Sequence, residues 1–112
     1  MEESVSRKPV DLSDKFKASR IHIYDYTVDT FGYFQAERYL QQIMQSLDTL
    51  SEYYAVYPEC RHLATKSRMY RNIILDAHLI VYRITNERIE VLDIIPAASS
   101  IGRIREARNI RL

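Results

Sequence analysis

The stretch RMYRNIILDAHLIVYRITNERIEVLDII, residues 68–95, decides the fold. Its β-branched, leucine and tyrosine residues fall into three short runs, a pattern suited to pleated and largely buried strands. Two breaks divide them, Asp76-Ala77 and Thr85-Asn86-Glu87-Arg88, each short enough to close an antiparallel hairpin. These turns predict a register. Ile84 opposite Ile89 places Tyr82 opposite Val91, Ile80 opposite Asp93 and His78 opposite Ile95, while the other face pairs Arg83 with Glu90 and Val81 with Leu92. In the same way Leu75 opposite His78 sets Ile73 beside Ile80 and Arg71 beside Tyr82. Both faces carry apolar residues, so each needs a cover: helices on one side, something not yet identified on the other.

Upstream, Pro9-Val10-Asp11-Leu12 alternates and predicts an edge strand, with the proline tolerated at its first position. Ser13 stands where an N-cap would, its hydroxyl available to the amide of Phe16 or a neighbour. A short, strongly aromatic helix follows, with Phe16, Ile23, Tyr26 and Thr27 on one face and Gly32 as its stop. A second helix spans about 33–53. Ala36, Leu40, Ile43, Leu47 and Leu50 recur at three- and four-residue spacing, and Phe34, Met44 and Tyr54 widen the stripe. The two helices form a hairpin. Beyond the sheet, IGRIREARNIRL (101–112) has Ile101, Ile104, Ala107 and Ile110 drifting around a helical surface, which suggests a tail that orders only against a partner.

With 112 residues the chain is one small domain with a single core, expected over 9–100, after a flexible 1–8 and before the basic tail. One cysteine excludes an internal disulfide, and neither a secretion signal nor a membrane-length apolar run is present, so a cytoplasmic location is expected. Cys60 and His62, without a second pair, do not make a zinc set, and no cofactor or metal is expected. Charge divides unevenly along the chain. Residues 1–60 carry six basic side chains against ten acidic, and 61–112 carry ten basic against five acidic. The tyrosines at 24, 26, 33, 39, 53, 54 and 57 fall in the acidic half, away from the basic residues that a nucleic-acid surface would interleave with them.

Ser13 after the first strand, Ile23 with Tyr26-Thr27, Phe31-Gly32, Gln35-Ala36 with Tyr39-Leu40, Pro58, Arg71, His78, Tyr82-Arg83 and the apolar run 89–95 come in an order and spacing that resembles the RelE/ParE superfamily of type II toxin–antitoxin toxins, most closely its ParE branch. The match covers about 10–100. It implies an α+β fold: an N-terminal strand, a helical hairpin, a three-strand antiparallel sheet and a basic tail. ParE toxins inhibit DNA gyrase, through its GyrA subunit, and arrest growth until a cognate antitoxin neutralises them. RelE toxins cut messenger RNA on the ribosome. The latter chemistry draws on basic side chains and a terminal acid–base or stacking group. Lys66, Arg68, Arg71 and Arg83 would supply the charge, yet no tyrosine follows Tyr82 and no histidine follows His78, which favours ParE. The chain departs from the ParE pattern at Arg20, at Arg61, and at Asp93, Pro96 and Ser99-Ser100, leaving a third reading, a toxin fold without toxicity that only binds an antitoxin or a second copy.

The residues singled out for target or antitoxin contact are Arg71, His78, Tyr82, Arg83, Arg103, Arg105, Arg108 and Arg111. Each has a plainer reading beside the functional one. Arg83 opposite Glu90 makes a cross-strand ion pair. Arg71 on an apolar face needs an acceptor, such as the end of a helix or loop. His78 and Asp93, diagonal in the predicted register, would form a hydrogen-bonded pair or a catalytic dyad. The four tail arginines are either a solvated tail or a partner-binding segment.

Overall fold

A computed structural model describes residues 7–112, so most of the terminus expected to be loose lies outside the described residues. Its last two residues are tethered. Lys8 donates its backbone N–H to Ser51 at 3.2 Å and its ammonium to the carbonyls of Thr85 and Asn86, both at 2.9 Å, and Arg7 pairs with Glu52 at 2.8 Å. The elements run β1 (Val10–Leu12), α1 (Asp14–Phe31), α2 (Tyr33–Tyr53), β2 (Tyr70–Ile74), β3 (His78–Ile84), β4 (Ile89–Pro96) and α3 (Ile101–Glu106). They build an α+β fold on a four-stranded sheet of order β1-β4-β3-β2. β2, β3 and β4 pair antiparallel, and β1 adds to the edge in parallel with β4.

The helical hairpin starts and turns as its residues dictate. Ser13 accepts the Phe16 N–H at 2.9 Å and donates its hydroxyl to the Leu92 carbonyl, so one buried side chain caps α1 and ties it to β4. At 18 residues α1 is longer than its sequence suggested. Gly32, at φ 94, lies in the left-handed region that a side chain disfavours. There its N–H reaches Val28 and its carbonyl accepts from Ala36, which ends one helix and starts the next without a linker.

Phe16, Ile23, Ile43, Leu47 and Leu50 pack against Ile73, Ile80, Tyr82, Val91 and Ile94. Three residues assigned to this stripe are exposed instead: Tyr26, Phe34 and Met44. Every residue from 29 to 35 is exposed, so the tip of the hairpin stands clear of the sheet and nothing lies beneath its apolar side chains.

The opposite face has an unforeseen cover. The tail orders on its own chain: Ser100 caps α3, Ile104 and Ala107 are buried, and a 3-10 turn at Ala107–Asn109 completes the segment. Together with Cys60 and Leu63, from a 3-10 turn at Arg61–Leu63, they cover Val81, Leu92 and Ile95. Neither a partner nor an antitoxin is needed to complete this core. Apolar side chains at 104, 107 and 110 recur every third residue, which suits the mixed α and 3-10 winding of this segment better than a pure α-helical stripe.

The register matches expectation through Ile84↔Ile89, Arg83↔Glu90 and Tyr82↔Val91, then shifts by one. Leu92 is bulged out, so Val81 pairs with Asp93, Ile80 with Ile94 and His78 with Pro96. The slip has a clear physical gain. It keeps the Asp93 carboxylate from facing Ile80 in the helix-side core and puts Ile94 there.

Candidate functional site

Between the helical hairpin, towards its Gly32 end, and the β2–β3 turn lies a groove of ≈ 770 Å³. α1 contributes Ile23, Tyr26, Thr27 and Phe31 to it, α2 contributes Gln35 and Tyr39, and the sheet contributes His78, Ile94 and Pro96. Lys15, His22, Asp76 and Arg103 also line it. It opens towards the hairpin tip, where Phe31, Tyr33 and Phe34 are 66%, 61% and 83% exposed. Tyr33 and Phe34 meet edge to face, with centroids 6.1 Å apart. An apolar trough flanked by exposed aromatic side chains is suited to holding a protein segment.

His78 sits in the groove wall, where its Nδ1 is 2.7 Å from the Tyr39 hydroxyl. Burial lowers the imidazole's pKa and raises that of the Tyr39 phenol, in the latter case against a backbone hydrogen bond from Ala77 and with help from the Asp76 charge. The expected pairing of His78 with Asp93 does not form. The bulge moves Asp93 along, and its Oδ1 accepts instead from the Ser19 hydroxyl at 2.7 Å and from the Ile94 N–H at 2.8 Å. A dyad of these two residues is therefore ruled out by geometry.

Arg71 and Arg83 take the plainer roles. The Arg71 guanidinium donates to the carbonyls of Arg68, Ala55 and Tyr57 at 2.8–2.9 Å, closing the chain that leaves α2. Tyr82 is wholly buried and donates to the Tyr54 carbonyl, so its predicted role in contacting a target is corrected: no part of it reaches the surface. Burial raises its phenol pKa, opposed by the nearby Arg71 charge. Arg83 pairs with Glu90 at 2.7 Å and donates to the carbonyls of Arg108 and Ile110, which clips the tail to the sheet. Burial opposes the Glu90 charge, but the hydrogen bonds from Arg83 and Arg88 outweigh it and lower the carboxyl pKa. Arg88 extends the network to Asp11 at 3.0 Å.

Since Arg71 faces the helices and Arg83 the tail, the sheet separates two members of the quartet proposed for RNA cleavage. Lys66 and Arg68 are exposed on the loop before β2, where Arg68 has a positive φ of 57° and lies 3.5 Å from Glu59. Arg103 lines the groove, Arg111 lies beside the β1 edge, and Arg105 and Arg108 are exposed on the tail. The groove thus brings together His78 and Arg103 from the predicted set. Sequence reasoning did not single out Tyr39 and Phe31 of the groove, or Tyr33 and Phe34 of the exposed tip, as candidate site residues. The available signal was a surplus: the hairpin carries more aromatic side chains around Gly32 than one helix face can bury. Among the described residues there is no group of three or more His, Cys, Asp or Glu able to hold a metal ion, and no helix long and apolar enough to cross a membrane.

The family model for the ParE toxin of type II toxin–antitoxin systems, parDE, matches residues 10–101, from the first residue of β1 to the first of α3. The chain belongs to the ParE toxin family. Among solved structures this ParE-family chain is similar to one from the chromosomal ParDE toxin–antitoxin system of P. aeruginosa, at 18% identity and a TM-score of 0.68. That likeness covers 81% of this chain and 97% of the other, and establishes a shared fold. No curated protein sequence matches. The matched region contains the hairpin tip and the groove apart from Arg103, and stops where the tail begins, so the α3 cover lies almost wholly outside the family pattern.

Proposed function

We propose that this ParE-family chain is the toxin of a type II toxin–antitoxin module that inhibits DNA gyrase by binding, without covalent chemistry of its own, and that a cognate antitoxin neutralises it. The observation that carries this reading is the groove with its exposed aromatic tip. It is a surface suited to gripping protein, an apolar trough beside the exposed rings of Phe31, Tyr33 and Phe34. The antitoxin segment that fits is an amphipathic helix. Its apolar side would lie against Ile23, Tyr26 and Phe31, with acidic residues towards Lys15 and Arg103 at the groove margin. The second sheet face, covered by the tail, does not require it.

The separation of Arg71 from Arg83, and the engagement of both with backbone carbonyls, weighs against ribosome-dependent cleavage. Induced expression tests the proposal directly. Growth arrest accompanied by trapped gyrase–DNA breaks is the expected result, relieved when the antitoxin is co-expressed. Growth arrest with gyrase supercoiling intact in vitro would overturn it, codon-position cuts in translated messages would point to the nuclease, and benign expression would indicate a fold that only binds.

A further inference from the structure

The layer over the second sheet face has a charge that its packing does not use. The 3-10 turn at Arg61–Leu63 and α3 pack against each other, with Cys60, Leu63, Ile104 and Ala107 facing inward. Outward from the same layer stand Arg61, Arg103, Arg105 and Arg108, all exposed and none in an ion pair among the described residues. Arg111 continues the series to the β1 edge, where it shares a recess with Lys17 and Arg88 and with the carboxylates of Asp11 and Asp14. Against them the tail supplies one acidic residue, Glu106. Lys66 and Arg68 extend the basic character along the loop before β2, partly offset there by Glu59.

Three features select the kind of partner. A protein interface of this size needs a desolvated anchor, commonly aromatic, and every exposed aromatic side chain lies on the two long helices instead. Single-stranded nucleic acid needs successive stacking platforms; Tyr70, packed against the layer, lies under the Arg83 guanidinium, and the half-buried His62 is the one ring within residues 61–68 and 101–112. The cations of the tail are all arginine, whose planar fork matches phosphate oxygens two at a time. We propose that the outer surface of the layer made by residues 61–68 and 101–112 binds the phosphate backbone of duplex DNA without reading its sequence. This proposal rests on the charge layer alone and is independent of the identity of the protein bound in the groove.

The test uses the purified full chain and a fluorescein-labelled 20-base-pair duplex of arbitrary sequence, followed by anisotropy across a salt series. Four engaged phosphates give a slope of log K against log salt of about −3.6, since each contributes about −0.9. The variant R61Q/R105Q/R108Q/R111Q is expected to weaken binding at least tenfold and flatten the slope, and R38Q on α2 to leave both unchanged. Amide shifts in the wild-type NMR spectrum on adding duplex locate the contact even if the fourfold variant fails to fold, and are expected at 61–68 and 101–112. Salt-independent binding, equal loss in R38Q, shifts confined to the helical hairpin, or tighter binding of poly-glutamate or of the single strand than of the duplex would each overturn the proposal.

Discussion

Arg71 and Arg83 show how one step along a pleated strand pair decides a residue's role. The register sets Arg71 beside Tyr82 and Arg83 beside Tyr70, and the pleat sends the two arginines to opposite faces. Arg71 closes the chain leaving α2, and Arg83 holds the tail. The Arg83–Glu90–Arg88–Asp11 network then makes stability pH-dependent. Glu90 is more acidic folded than its ordinary value of 4.5, so its contribution is complete above that pH and is lost as pH falls through the lower, folded value. Thermal unfolding followed from pH 7 to 3 is expected to show this loss, and Glu90→Gln to flatten the dependence while lowering stability at neutral pH. Ser13 is another residue whose role was readable beforehand, because a serine directly before an amphipathic run has one favoured use. Its second bond, to Leu92, was not readable, because the acceptor lies in β4.

At the scale of elements, the tail differs most from expectation. Residues 101–112 follow no clean α-helical stripe, yet Ile104 and Ala107 are buried and two tail carbonyls are held by Arg83. A chain ending at residue 100 would expose Val81, Leu92 and Ile95, which the tail now covers. Such a truncation is expected to bind a hydrophobic dye and lose cooperative unfolding. The milder Ile104→Ala is expected to cost about 2–5 kcal/mol in chemical denaturation, the range for deleting a buried isoleucine side chain down to alanine. An unchanged midpoint in Ile104→Ala would mean the tail is an accessory rather than part of the core. The ends of the helical hairpin, in contrast, were legible, because a cap, a long apolar repeat and a glycine turn are all local signals, whereas the exposure of Tyr26, Phe34 and Met44 was not.

At the scale of the whole molecule, the sheet separates two surfaces of different character. The helical side holds the groove and the aromatic tip, and the tail side holds the unpaired arginines, of which only Arg103 also reaches the groove. Phe34, at 83% exposed, is where this division is most easily tested. Phe34→Ser should change stability by less than about 0.5 kcal/mol, as surface substitutions do, while weakening toxicity or antitoxin binding at least tenfold. Retained toxicity together with full antitoxin affinity would remove the tip from the binding surface. Assigning these two surfaces required distances between segments far apart in the chain. His78 illustrates this: the register read from the turns suggested Asp93 as a partner, whereas the folded chain gives it Tyr39.

The sequence by itself determined the strand runs, both hairpin loops, the capped helical hairpin and the family resemblance, because each depends on local spacing and backbone preference within a few residues. Only the tertiary structure decided the bulge at Leu92, the partner of His78, the burial of Tyr82 and the cover on the second face. Those depend on which apolar surfaces and unpaired polar groups meet when distant segments pack, and local periodicity does not encode that. The stretch 68–95 therefore announced a sheet with two apolar faces, and packing determined that the chain's own tail covers one of them while the helical hairpin covers the other and leaves its tip and groove open.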